Sequence, residues 1–456
     1  MNEHFDLIII GAGPGGYEAA LEAARLGFHT ALVEKDAVGG TCLNRGCIPT
    51  KTLIHSSSLY EEIQGASRFG IISGAPAVDM KAVQQHKADT VATLQKGIHS
   101  LLKAGKVSLF EGTGKVLSPT EVQITASSGD VSSLSTDRIL IATGSAPSVP
   151  PIPGSTLPGV MTSNELLSYG GEPFDSLLII GGGVIGVEFA GIYQAFGTKV
   201  TILEALPSLI ANMDKELGQS LKMSLKKKGV DIHTGARVQN LSTDGGHILC
   251  TYEEKEQLCS CAADAVLMAV GRRPYTEGLF AESCIPDMER GHIVVSEAYE
   301  TSIPGIYAIG DVNGQIQLAH AAAAQGKKAV QLMAGHPTCL NLDLIPSCIY
   351  TSPEIASTGL TLDQAKAQGL PAKSHKIVSS SNGKSVLSSQ ERGFIKVIYL
   401  EDSHVIIGAQ LLCARATDMV SEFSVAIQKG LTLEDMAGIV RPHPSFSEMI
   451  TDSVTL

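Results

Sequence analysis

Gly39-Gly40-Thr41-Cys42-Leu43-Asn44-Arg45-Gly46-Cys47-Ile48-Pro49-Thr50-Lys51 is the stretch on which the reading of this chain turns. Two cysteines with four residues between them enter a segment whose apolar positions, Leu53, Ile54, Leu59 and Ile63, follow a helical pattern. Positions i and i+5 do not share a ridge of a regular helix, but a distorted first turn brings them together. Unpaired backbone N–H groups and the positive end of the macrodipole favour a thiolate there. A thiolate attacks disulfides, whereas a neutral thiol hardly does. Two cysteines taken alone are more often ordinary buried residues. Here Gly39-Gly40 lets backbone approach something flat, and Lys51 adds a cation one helical turn beyond Cys47.

The 456 residues suffice for three or four domains. A net charge of −12 and a pI near 5.6 argue against nucleic acid as the main partner. No apolar run approaches the ~20 residues of a membrane span. Glu3 and Asp6 flank a short strand-like run, Leu7 to Ile10, which is unlike a signal peptide. Nine cysteines, an odd number scattered along the chain, do not resemble a secreted disulfide framework. A cytoplasmic or similarly reducing setting is the expectation, and no metal site is read.

The run Phe5 to Ile10 ends at Gly11-Ala12-Gly13-Pro14-Gly15-Gly16, followed by a helical pattern at Ala19, Ala20, Ala23 and Ala24. Gly11, Gly13 and Gly16 satisfy the dinucleotide pattern of a tight turn, a close pyrophosphate approach and a helix packed on its strand. The next strand, Thr30 to Val33, ends at Glu34, a carboxylate for ribose hydroxyls. Met80 to Lys103 reads as a core or packing helix, with Val83, Val91, Leu94, Ile98 and Leu101 at helical spacing. Short strands follow from Val107 to Ile124, and the strand Arg138 to Ala142 returns to the nucleotide at Thr143-Gly144-Ser145. The proline-rich run Pro147 to Pro158 reads as a linker.

Beyond it the first pattern repeats. Leu177 to Ile180 leads to Gly181, Gly183 and Gly186, and the strand Lys199 to Leu203 ends at Glu204, with the same 23-residue offset from first glycine to acid. Ala205 and Leu206 follow Glu204, with no adjacent arginine. A carboxylate there accepts from a free 2′-OH and repels a 2′-phosphate, so NAD is favoured over NADP. Ile248 to Tyr252 and Gln257 to Ala262 read as a hairpin placing Cys250 opposite Cys259 or Cys261; a redox or ligand role for these is weaker than that of plain strand residues.

Ile306 to Val312 is a further strand meeting an alanine-rich helix, Leu318 to Val330, with Asp311 at the junction. From Ile345 the pattern is α+β, with strands at His375 to Ser379, Phe394 to Leu400 and Val405 to Leu411 and a helix at Thr417 to Gln428. Near the end, His443 stands between Pro442 and Pro444 with Glu448 five residues on, a candidate oriented base.

The cysteine segment resembles the active-site signature of the flavoprotein disulfide reductases, GGTCxNxGCxPxK, most closely that of the lipoamide dehydrogenase family. Both glycine motifs, Thr301 to Asp311 and His443 to Glu448 match that family in order, so the resemblance spans essentially the whole chain. It implies an α/β protein with two Rossmann-like domains, for FAD (1–146) and NAD (147–275). A central domain (276–344) completes the FAD site, and a C-terminal α+β domain (345–456) builds a homodimer. It implies that Cys42 is the interchange thiol and that Cys47 lies against the flavin. Lys51 would pair with Glu188, and His443, polarised by Glu448, would act as acid/base from the opposite subunit. Gly114, Thr143, Gly144, Ser145, Asp311, Gln317, Leu318, Ala319 and His320 match FAD-contacting positions, and Val238 and Gly271 NAD-contacting ones.

The implied reaction oxidises protein-bound dihydrolipoamide and reduces NAD+. The implied partner is the lipoylated protein of a 2-oxoacid dehydrogenase, glycine cleavage or acetoin-type complex. The alternative is an NAD(P)H-dependent reductase of the glutathione reductase type, which Glu204 opposes. Mercuric reductase and the large thioredoxin reductases add a vicinal thiol or selenol pair that Asp452 to Leu456 does not carry. A non-catalytic nucleotide-binding protein would need neither Cys42 and Cys47 nor His443.

Overall fold

The computed structural model describes residues 3–171 and 174–456. Leu7–Ile10 (β1) is buried along its whole length, as a strand covered on both faces must be. After Gly11 turns the chain at φ +102°, Pro14–Arg25 forms α1, with proline where the helix needs no N–H donor. Thr30–Glu34 (β2) follows. A Cβ on Gly16 would meet the Gly11 carbonyl at 1.8 Å, so the helix lies hard against the turn.

The cysteine segment departs from the single helix its pattern suggests. Gly40–Arg45 (α2) and Cys47–Gln64 (α3) are separated by Gly46 at φ −149°, ψ −110°. A Cβ on Gly46 would stand 3.0 Å from the Thr41 carbonyl, so the sharp break favours glycine. The break makes Cys47 the first residue of α3, with the helix N-terminus behind it.

Met80–Ala104 (α4) matches its expected span, capped by Asp79, which accepts from the Ala82 N–H at 3.0 Å. The expected core role is corrected. Only Ile98 and Leu102 are buried, while Leu94 and Leu101 are exposed, so α4 covers the unit with one narrow stripe. Ser108–Glu111 (β3) comes next and, after three short antiparallel strands of which Val131–Thr136 is unread in the sequence, Ile139–Ile141 (β4) follows.

The second unit repeats the plan with Val160–Thr162 (β5), Ser176–Ile180 (β6), Val184–Ala195 (α5), Lys199–Glu204 (β7) and Asp231–Thr234 (β8). Ala236–Asp244 (β9), His247–Glu254 (β10) and Gln257–Ala263 (β11) form an antiparallel sheet across it, and Ala265–Met268 (β12) returns to the centre. The parallel order is β5-β12-β6-β7-β8.

Ile306–Ala308 (β13) pairs parallel with β4, giving the first sheet the order β13-β4-β1-β2-β3. Ala319–Met333 (α6) then packs on α1, with Gly326 close enough that a Cβ would meet the Gly15 carbonyl at 2.6 Å. The last unit holds Ser347–Ile349 (β14), Glu354–Gly359 (β15), Ala372–Val378 (β16), Phe394–Leu400 (β17) and Ile406–Cys413 (β18). They form an antiparallel sheet, β14-β15-β18-β17-β16, covered by Ala416–Lys429 (α7) and Glu448–Val454 (α8) around Phe423, Met449 and Ile450. Among the described residues, no helix is long and apolar enough to cross a membrane.

Candidate active site

One continuous cleft of about 1920 Å³ runs between the units, larger than the ~300–1,000 Å³ of an ordinary small-molecule pocket. From the first unit it gathers Gly11, Gly13, Glu34, Cys42, Cys47, Lys51, Gly114, Thr143, Gly144 and Ser145. Asp311, Gln317, Leu318, Ala319 and His320 line it from beyond β13. The second unit supplies Gly181, Gly183, Glu188, Glu204, Val238 and Gly271. Gly16 and Gly186 lie behind the wall, where a Cβ would strike the carbonyl of Gly11 or Gly181 at 1.8 and 2.0 Å. His443 and Glu448 do not line it.

Cys42 and Cys47 are thiols hydrogen-bonded to one another. The proton stays on Cys42, whose pKa is pushed up by that bond and by burial. Cys47 is pulled down to about 7 by accepting from Cys42, with burial opposing and the Lys51 cation assisting. Cys42 thus favours the proton-bearing form, and Cys47 is the more acidic sulfur of the two.

Lys51 Nζ donates to both carboxylate oxygens of Glu188, at 3.0 and 2.8 Å. Glu188, on α5, is only 4% exposed, and such a charge needs a partner. The Tyr350 backbone N–H completes its shell at 3.0 Å, and the Lys51 ammonium lies 4.6 Å from the Tyr350 ring centroid. This contact joins three units at the dithiol. Tyr350 carries no signal in the sequence, since its role is a backbone N–H and a ring face.

Across the cleft, the Ser145 hydroxyl donates to Asp311 at 2.5 Å and accepts from Arg272 Nε at 2.7 Å. Arg272 also donates to the Ser145 carbonyl at 2.7 Å, tying the two nucleotide-binding units together. The sequence alone assigns Arg272 no role. Asn44 is missed too: its amide donates to the carbonyls of Ala37, Val38 and Gly40, at 3.3, 3.1 and 2.9 Å, fixing the dithiol loop.

The two acids occupy equivalent places. Glu34 accepts from the Ala12 N–H at 2.7 Å and Glu204 from the Gly182 N–H at 2.5 Å, each holding the glycine turn of its own unit. Burial pushes the Glu34 pKa up, against the Ala12 bond. Cβ atoms on Gly144 and Gly271 would meet nothing within 4 Å, so the backbone there faces open space. These turns, the acids and the cleft volume fit two dinucleotides.

His443 lies elsewhere. Its side chain is 78% exposed, and Nδ1 stands 2.8 Å from Glu448 Oε1. The Glu448 pKa is lowered first by the Ser445 N–H, at 2.8 Å, and then by His443. The sequence-predicted pair therefore forms, on an open surface away from the dithiol.

Two Rossmann units facing one cleft, with a dithiol between them, define a nucleotide-linked dithiol–disulfide oxidoreductase. Residues 5–326 match the model of the pyridine nucleotide-disulphide oxidoreductases, and residues 345–454 match the dimerisation domain of the same group. The chain belongs to the pyridine nucleotide-disulphide oxidoreductase family. Its cofactors are FAD and NAD. It is similar to dihydrolipoyl dehydrogenase of Bacillus subtilis, 36% identical over 99% of this chain and 98% of that one. The Geobacillus stearothermophilus enzyme of that name is 38% identical, over 98% and 95%. Among solved structures, LpdA of Mycobacterium tuberculosis superposes with a TM-score of 0.91 at 27% identity, covering 99% of both chains. The flavoprotein disulfide reductase RclA of Escherichia coli gives 0.87 at 28% identity, over 98% and 99%.

Proposed function

We propose that this chain oxidises the dihydrolipoyl group of a lipoylated protein and reduces NAD+, as a homodimer in the cytoplasm. The carrying observation is the Cys42–Cys47 pair at the start of α3, beside the Lys51–Glu188 contact and in one cleft with both glycine turns. The first turn, Glu34 and the Ser145–Asp311 pair would hold FAD; the second turn and Glu204 would hold NAD. We assign FAD to 1–146 with 276–344, NAD to 147–275 and the dimer contact to 345–456. When bound, FAD supplies the two-electron link between the dithiol and the nicotinamide.

His443 of one subunit takes a proton from the substrate dithiol. The substrate thiolate attacks the Cys42 sulfur of the Cys42–Cys47 disulfide, the S–S bond breaks, and its electron pair stays on Cys47 as a thiolate. The second substrate thiol loses its proton to solvent and attacks the first substrate sulfur, still bonded to Cys42, closing the substrate disulfide and releasing Cys42, which takes the proton held by His443. The directions of the two pKa shifts, up at Cys42 and down at Cys47, favour that outcome. Exposed Val440, Ile439 and Val425 on the unit that carries His443 support a partner surface. The specific lipoyl complex would be a 2-oxoacid dehydrogenase, glycine cleavage or acetoin-type assembly.

Anaerobic titration with dihydrolipoamide, followed by the flavin spectrum, tests this reading. Two-electron reduction by dihydrolipoamide is the expected result. A flavin reduced by NADH but untouched by dihydrolipoamide would refute it.

A further inference from the structure

The hairpin β10–β11 carries a second thiol pair. A two-residue turn, Lys255-Glu256, both in the left-handed region, closes it. Counting from that turn sets the register, and Cys250 lies directly opposite Cys261. Both face inward, as alternation requires. Cys250 is fully buried and Cys261 half-buried, each against the apolar cluster that includes Ile180, Leu203 and Met268. Cys259 is opposite Tyr252 instead.

A histidine drawn toward its charged form stands near this pair. His233 on β8 is bridged by Glu254, with Nδ1 to Oε2 at 2.7 Å, and by Asp231, with Nε2 to Oδ2 at 3.1 Å. Burial opposes charge on the ring, but these two carboxylates raise its pKa. Cys261 is lowered by its bond from Cys250 and by the nearby His233, while Cys250 is raised and keeps its proton. This repeats the asymmetry of Cys42 and Cys47, outside the cleft.

We propose that Cys250 and Cys261 form a second, reversible disulfide, made by hydrogen peroxide, that weakens nicotinamide nucleotide binding. The Cys261 thiolate attacks a peroxide oxygen and the O–O bond breaks. One oxygen becomes Cys261–SOH, and the other leaves as water after taking up protons. The Cys250 sulfur then attacks the Cys261 sulfur; its proton and the departing hydroxyl leave as a second water. The net change is two thiols oxidised and one peroxide reduced.

The consequence follows from register. Paired residues one, three and five places from a two-residue turn exchange both backbone hydrogen bonds, Cys250 and Cys261 being the fifth pair, and their Cα atoms stand ~5.5 Å apart. Their Cβ atoms must close to ~3.8 Å for a disulfide. The two strands therefore shift when the bond forms. Leu241 of β9 pairs with Cys250, and β9 begins at Ala236, Arg237 and Val238 on the cleft wall. Ile180, Leu203 and Met268, in the same cluster, immediately or closely precede Gly181, Glu204 and Gly271.

The test treats the FAD-loaded dimer with hydrogen peroxide, alkylates it, and maps its peptides by mass. The expected result is a Cys250–Cys261 cross-link reversed by dithiothreitol. It accompanies a several-fold higher KM for NADH with ferricyanide as acceptor, a reaction that bypasses Cys42 and Cys47. Cys261→Ser should lose both effects and Cys259→Ser should keep both. Free or sulfinic Cys261, a link to Cys259, or a cross-link that leaves KM unmoved would each overturn the proposal. The wild-type map needs no variant to fold.

Discussion

The two halves of the proposed chemistry sit in opposite surroundings. The dithiol is recessed in a cleft, with the buried Glu188 and its partner, the half-buried Lys51, beside it and three units converging on it. His443, the base that should serve it, stands on a surface loop with most of its side chain open to solvent. A buried nucleophile can have its pKa set by its own chain. His443 does not line the dithiol cleft of its own chain, which is why we propose that it serves the dithiol of a second copy related by a two-fold axis.

The sharpest way to break this contrast is at the recessed half. Cys47→Ser should abolish dihydrolipoamide oxidation and the long-wavelength absorbance band expected on two-electron reduction of the FAD-loaded protein. An unchanged band would mean that Cys47 is not the thiolate against the ring. At the exposed half, His443→Gln should cost ~10²–10⁴ in dihydrolipoamide turnover, the usual worth of a positioned base. Flavin reduction by NADH, measured by stopped flow, should be preserved. Loss of both half-reactions would place His443 in the recessed half after all.

A smaller effect tests what sets the thiolate. With Cys47 near 7, the band should fade as pH falls below that value, because protonation removes the thiolate. Lys51→Met removes a favourable cation, so the midpoint should rise by about one pH unit. A midpoint that stays or falls would show that Lys51 does not tune Cys47. Smallest of all, Glu204→Gln should relax the preference for NAD over NADP, read as the ratio of kcat/KM values. A wild type that prefers NADP would refute the ribose-acid reading outright.

What could be read from the chain, and what could not, follows the same divide. The two glycine turns were legible because Gly11 and Gly181 adopt φ values of +102° and +114°, and because a Cβ at Gly16 or Gly186 has no room. Those demands are local, so they write themselves into spacing. The break at Gly46 was not legible, since it rests on a ψ of −110°, outside the usual α and β ranges, and on the approach of the Thr41 carbonyl, neither of which spacing records. The strand Val131–Thr136 escaped because Val-Ser-Ser-Leu-Ser-Thr shows little apolar alternation. α4 misled in the other direction: helical spacing is correct, yet Leu94 and Leu101 face solvent. Tyr350 and Arg272 act through groups whose partners lie far away in sequence, and no motif records that.

The most direct measurement is a mixed dimer. A Cys47→Ser chain is co-expressed with a His443→Gln chain, each nearly inactive as a homodimer, and the hybrid is isolated by differential tags. If His443 serves the dithiol of its partner, one site in the hybrid keeps both residues, and dihydrolipoamide oxidation should return to about half the wild-type rate per dimer, one of two equivalent sites being intact. If each histidine served its own chain, every site would lack one partner, and a hybrid as inactive as its parents would contradict the shared site.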